Sequence, residues 1–406
     1  MRTRRFAHTP SSSLHSVNPL NTINLKPATM SHSLSLLLLL LSVVATASAT
    51  TIGVTYVPSP AQPPPEQVAS TLRSLKISAV RLPVAEPSVI RAFFYTNISL
   101  FLSIPNSLLH SISSNRSAAS LWLYNHVVPF YPRALITAIS VGTNVLADGN
   151  ASSADILLRA VRNVHQSIMD LGLRKITVST TFSFVNIMMT SFPPSSAEFE
   201  EPWNNVILQP LLQFLAETNS SFFVNLYPYF VYKLRPEIPV GFALFQEQAY
   251  NFRDDAITGV RYHNLFDLMV DAVIAALTIS GHENIPVVVT ETGWPSCDSI
   301  NDVETRPVYA EMYLRGLLYH LQSGRGTPLR KEGVAEVYIY EVFDTNTTFT
   351  NQPAMRVGTG QKWGFLHQNM SMKYEIDFSG SFPTTIGAPV RSLLQFLLLV
   401  IVLIVC

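Results

Sequence analysis

Charge is scarce in this chain. Only 13% of its 406 residues are Asp, Glu, Lys or Arg, and 27 basic side chains face 27 acidic ones. Zero formal net charge removes the electrostatic footprint of a nucleic-acid binder, so no nucleic-acid partner is expected. With 48% hydrophobic residues the chain is also not a disordered one. Cysteine is nearly missing: two residues cannot build a disulfide-dense scaffold or a Cys-rich zinc site. The histidines are scattered, with no HExxH pair and no clustered carboxylates, and no Gly-rich phosphate loop occurs. No metal and no cofactor are therefore expected. A Gly/Ser-rich linker and a repeat of ~20–50 residues are lacking too, which points to a single domain.

What is present begins at the ends. Met30–Ala49 carries an apolar run, Leu36–Val44, followed by Ala47-Ser48-Ala49. A short apolar run before a small-x-small triplet is the pattern of a cleaved secretory signal. A membrane-spanning helix is the competing reading, but the run has about half the residues needed to span. Residues 1–29 contribute Arg2, Arg4, Arg5, Lys26 and no acid. They read as a long basic n-region or as an extension upstream of a start at Met30, with an organelle transit peptide as the weaker alternative. At the other end Leu393–Cys406 is an apolar tail of fourteen residues, preceded by a spacer and by Ser379-Gly380-Ser381. Small triplet, spacer and short apolar tail form the grammar of a glycolipid-anchor signal, with Ser379 as the attachment residue. A tail-anchoring helix is the alternative. The expected organisation is a signal segment at 1–49, a body at 50–379 and an anchor propeptide at 380–406. Six N-x-Ser/Thr sequons, at Asn97, Asn115, Asn150, Asn219, Asn346 and Asn369, fit a secreted glycoprotein. Cys297 is then a lone thiol, expected to be buried and inert.

Between the ends, eight apolar, β-branched runs alternate with helical stretches. The runs are Thr51–Val57, Ala79–Val84, Ser99–Pro105, Ile136–Val145, Lys175–Ser183, Phe222–Phe230, Val287–Pro295 and Val337–Asp344. Near-continuous apolar runs suit strands buried on both faces, as in a parallel sheet. Glu66–Leu75, Asp155–Leu173, Leu265–Leu277 and Val308–Leu321 read as amphipathic helices. Ser152 or Ser153 would cap the second, and Gly281 and Gly324 would stop the last two. Eight such units give an α/β fold, a single (β/α)8 barrel; an open doubly wound sheet is the alternative. In a barrel the chemistry sits at the C-terminal strand ends.

Strand seven ends Thr290-Glu291-Thr292-Gly293-Trp294-Pro295. A carboxylate at the end of an apolar strand is costly unless something uses it. Glu beside Trp at a barrel mouth suits glycoside chemistry, because sugar rings present apolar C–H faces to aromatics. A structural salt bridge, with Trp294 as core, is the equal alternative. Tyr227, Tyr229, Phe230, Trp294 and Trp363 occupy windows suited to stacking glucose rings; part of the set reads equally well as core, and Trp122 reads as core.

The stretch Val287–Ser296 resembles the signature of plant β-1,3-glucanases, glycoside hydrolase family 17. The resemblance extends through Ile52-Gly53-Val54, Val127–Pro132, Ser191–Ser195, Val224–Phe230, Leu265-Phe266-Asp267, Tyr338-Ile339-Tyr340, Phe343-Asp344 and Trp363-Gly364-Phe365. It implies a (β/α)8 barrel and a retaining mechanism on β-1,3-linked glucan of the cell wall; with the terminal signals, the expected setting is the outer face of the plasma membrane, for a monomer touching the membrane through its lipid only. Glu291 matches the family's nucleophile. The proton donor is where the match fails. The family has Val-Gly-Asn-Glu at the end of strand four, and this chain has Val141-Gly142-Thr143-Asn144. An amide cannot protonate a leaving alkoxide, and losing general acid–base help costs roughly 10²–10⁴ in rate. Thr345 stands where the family has an acid after Phe-Asp, and about Gly360 where it has another. Tyr56-Val57 replaces Tyr-Gly, and Arg81-Leu82-Pro83-Val84 replaces Arg-Leu-Tyr-Asp. Glu341 is the candidate substitute acid, Asp148 a remoter one, and Thr143 joins the aromatics as a substrate-binding candidate. The two expectations are a weak endo-1,3-β-glucosidase and, alternatively, a glucan-binding barrel that does not cut.

Overall fold

The computed structural model describes residues 50–149, 151–297, 302–345 and 362–380. The expected signal and tail segments, the sequons at Asn150 and Asn346, and Gly360 lie outside them. So does the side chain of Asp148.

Eight strands close into a parallel barrel: β1 Thr51–Thr55, β2 Ala79–Leu82, β3 Ser99–Ile104, β4 Leu135–Thr143, β5 Thr177–Ser183, β6 Phe222–Asn225, β7 Val287–Thr292 and β8 Glu336–Ile339. Each pairs with its sequence neighbours, and β8 returns to β1 with Gly53 opposite Tyr338. Every expected run supplies one strand. The sixth was expected to continue to Phe230, but Pro228 opens a helix, Pro228–Leu234. Proline favours the first helical turn and cannot extend a central strand.

Alternation along the strands places Ala79, Phe101, Ala138, Phe223, Val288 and Tyr338 in one cluster, separate from the larger core beneath the helices. These six fill the barrel's interior, with the Phe101 ring 4.8 Å from that of Phe223 and 5.5 Å from that of Tyr338. Two residues further along their strands stand Arg81, Ser103, Ser140 and Asn225, all buried. The interior thus changes from apolar to polar toward the C-terminal strand ends.

The helix Leu265–Ile279 departs from the amphipathic expectation: Leu265 through Leu277 are all buried. The turn Pro194–Ser196 and the short strand Glu198–Phe199 pack over its outer side. A helix covered on both sides needs no polar face. Its end follows the expectation. Gly281 adopts φ +79°, its N–H bonds Thr278 O, and the His282 N–H bonds Leu277 O, which satisfies two terminal carbonyls. The long second helix begins at Ala151, so Ser152 and Ser153 lie inside it rather than at its cap. No helix among the described residues is long and apolar enough to cross a membrane.

Candidate active site

Glu291 reaches the barrel interior through a break in register. Along β6 and β7, Val289 pairs with Val224 but Glu291 pairs with Asn225, so β7 carries one extra residue there. A one-residue insertion exchanges the faces of a strand. Val288 faces inward with Phe223, and after the bulge the inward residue is Glu291, beside Asn225. β4 has a comparable shift between Ser140 and Thr143, where Gly142 takes φ +77°. A side chain at Gly142 would be strained by that angle and would meet Val145 at 2.9 Å.

The Glu291 carboxylate is 8% exposed and accepts three hydrogen bonds. Arg81 Nη1 lies 2.5 Å from Oε1, while Asn225 Nδ2 and the Tyr227 hydroxyl each lie 2.8 Å from Oε2. The Thr290 hydroxyl donates to Asn225 Oδ1 at 2.7 Å, which turns the amide nitrogen toward Glu291. Burial, followed by the neighbouring Glu291 charge, holds the Tyr227 phenol well above its ordinary pKa, so it remains a donor.

The end of β4 is built differently. Asn106 grips Thr143 on both sides, accepting from its N–H at 2.8 Å and donating to its carbonyl at 2.9 Å. Asn144 follows in the left-handed region, φ +51°, with its N–H on Thr181 O at 2.8 Å. Its side-chain Oδ1 is buried and has no hydrogen-bond partner among the described residues.

Glu341 follows β8 and is 1% exposed. The Thr345 hydroxyl lies 3.0 and 2.9 Å from its two carboxyl oxygens, and the Thr345 N–H lies 3.1 Å from the first. Burial pushes its pKa up to about 8, with Asp344 and Glu291 adding repulsion. It is enclosed and engaged rather than open to a leaving group. Asp344 accepts from Gly364 N at 2.9 Å and pairs with Lys373 at 2.6 Å, which fastens the segment after Trp363 to the barrel.

The aromatic candidates require correction. Tyr227, Tyr229, Phe230, Trp294 and Trp363 are all at most 4% exposed. Trp363 packs its ring 5.3 Å from Tyr227 and 5.9 Å from Phe230, and Trp294 packs 5.2 Å from Tyr229. Trp294 Nε1 donates to Glu304 O at 2.7 Å, and the Tyr229 hydroxyl to Asp302 at 2.7 Å. Their faces are covered by one another, so they form a wall that fixes Tyr227 rather than a surface for sugar rings. Trp122 is core, as expected. Both readings of Glu291 meet here: it lies at the barrel mouth and forms a buried ion pair. Arg81 and Asn225 were not foreseen as its partners; the available signal was a lone polar residue inside each apolar strand, AVRL and FFVN. Cys297 is half-buried, with Sγ 3.1 Å from the Thr305 hydroxyl.

Comparison with known proteins agrees with this geometry. The sequence model of Glycosyl hydrolases family 17 matches residues 52–378. Among Arabidopsis thaliana proteins, glucan endo-1,3-beta-glucosidase 12 is 35% identical over 80% of this chain and 59% of its own length. Glucan endo-1,3-beta-glucosidase 2 is 38% identical over 79% and 62%. The chain therefore spans about 60% of the length of these curated relatives. Among solved structures, a beta-1,3-glucanase and allergen of Cryptomeria japonica pollen superposes with a TM-score of 0.74 at 32% identity, covering 81% of this chain and 99% of that one. A plant beta-glucan endohydrolase gives 0.70 at 30% identity, covering 80% and 100%. The chain belongs to glycosyl hydrolase family 17.

Proposed function

We propose that this barrel is a glucan endo-1,3-β-glucosidase-type glycoside hydrolase, with Glu291 as nucleophile and weak action on unactivated β-1,3-glucan. The observation that carries the reading is the Glu291 carboxylate, held at a strand end by Arg81, Asn225 and Tyr227. Its relatives' names supply the substrate class. Weakness follows from Asn144: a retaining site needs a second carboxyl about 5–5.5 Å from the first, and an amide stands where the family's donor belongs. The setting is the outside of the cell, with glycans on the sequons and a lipid joined at Ser379.

The test is Asn144→Glu. Restoring a general acid should raise cleavage of laminarin-type glucan by roughly 10²–10⁴, or about 3–5 kcal/mol of barrier, and Glu291→Ala should abolish it in both backgrounds. Affinity for β-1,3-glucan oligomers with no cleavage by either form would establish the binding-only barrel instead.

A further inference from the structure

The two halves of this site differ in completeness. The nucleophile is buried and held by three donors. Among the described residues no free carboxyl stands at the β4 end. At the β4 end stands an amide whose buried oxygen has no partner among the described residues. The carboxyls beside β8 are committed elsewhere: Glu341 to Thr345, Asp344 to Gly364 and Lys373. A proton is needed only when the leaving group is a strongly basic alkoxide. A base is needed only when the incoming group is neutral water.

We propose that this chain is a glycosyl-transferring catalyst for β-glucosyl donors whose leaving group departs as a stable anion, such as a phenolate, with anionic acceptors in place of water. The proposal rests on the reading of Glu291 as nucleophile. In the first half-reaction a Glu291 carboxylate oxygen bonds to the anomeric carbon, and the leaving group departs with the bonding electrons, unprotonated. In the second, an anionic acceptor bonds to that carbon and the ester C–O bond breaks, regenerating the carboxylate. No proton moves in either half, so neither needs what Asn144 cannot give. With water as the acceptor the second half is slow, and the glucosyl ester on Glu291 accumulates.

The experiment uses the purified chain with 2,4-dinitrophenyl β-laminaribioside, with and without sodium azide. The expected results are an initial burst of dinitrophenolate and one laminaribiosyl unit on the peptide bearing Glu291. Azide should accelerate steady turnover by roughly 10²-fold, the size of a general-base contribution, and yield β-laminaribiosyl azide. Asn144→Glu should remove the azide effect while gaining laminarin cleavage. Turnover that depends on Glu291 but shows no adduct and no azide effect would overturn the proposal and leave the nucleophile assignment standing. Failure of both the wild-type chain and Asn144→Glu to release dinitrophenolate above a Glu291→Ala control would overturn both.

Discussion

Two buried carboxyls at the barrel's C-terminal end have different surroundings. Glu291 faces a guanidinium and two neutral donors, and its charge is compensated. Among the described residues Glu341 accepts from the hydroxyl and N–H of Thr345, and burial, with Asp344 and Glu291 repelling it, raises its pKa to about 8. The Arg81–Glu291 pair stabilises the barrel mouth only while both members are present. Arg81 is 1% exposed and Glu291 8%, so removing one leaves an uncompensated charge in a dry interior. Arg81→Met should destabilise the protein by about 3–5 kcal/mol. The double variant Arg81→Met/Glu291→Gln should recover a large part of that loss, because no charge remains unpaired. Denaturant unfolding of the four proteins as a double-mutant cycle measures the coupling. Equal losses for Arg81→Met with and without the Glu291→Gln change would show that the pair is not coupled.

At the scale of elements, the helix Leu265–Ile279 is tied to the loop before β8 through Asp271. Its Oδ2 accepts from Leu329 N at 2.9 Å. Burial, reinforced by Asp267, raises its pKa to about 7, and Asp267 in turn meets His320 at 2.8 Å. An acid whose folded pKa exceeds its unfolded value keeps a proton in the native state that the unfolded chain releases. Its stabilising contribution is complete below about pH 4 and is lost as the pH rises through about 7. Asp271→Asn removes that dependence, so the variant should gain on the wild-type protein between pH 5 and pH 8 in thermal unfolding. An unchanged difference between the two pH values would mean that Asp271 is ionised throughout. The elements themselves were legible because strands buried on both faces read as unbroken apolar runs. Their bulges were not, since an extra residue in β7 changes which side chains face inward without changing composition. That shift brings Glu291 beside Asn225, and it hid the partnership with Arg81 from one-dimensional reading. The aromatic windows misled for a related reason: Trp294 and Trp363 stand near strand ends, but only packing shows that their faces are already covered.

For the whole molecule, the balance of 27 against 27 is a property of the full chain rather than of the barrel. Arg2, Arg4, Arg5, Lys26 and Arg391 lie in the segments expected to be removed, which contain no acid. Taking these five from 27 leaves 22 basic against 27 acidic side chains, a formal charge of −5 on the body. Four sequons lie among the described residues, at Asn97, Asn115, Asn219 and Asn369, and all four are exposed where a glycan would need space. Ser379 is likewise exposed, and its N–H bonds Asp377 Oδ1 at 2.7 Å. A lipid joined there is cut by phosphatidylinositol-specific phospholipase C, whereas a tail helix is not. Expressed from the 406-residue chain in plant cells, the protein should move from the membrane pellet to the supernatant after that treatment. Ser379→Leu, which places a bulky residue at the proposed attachment position, should reduce the releasable fraction. Retention in the pellet after phospholipase, with release only by detergent, would replace the lipid anchor with a tail helix.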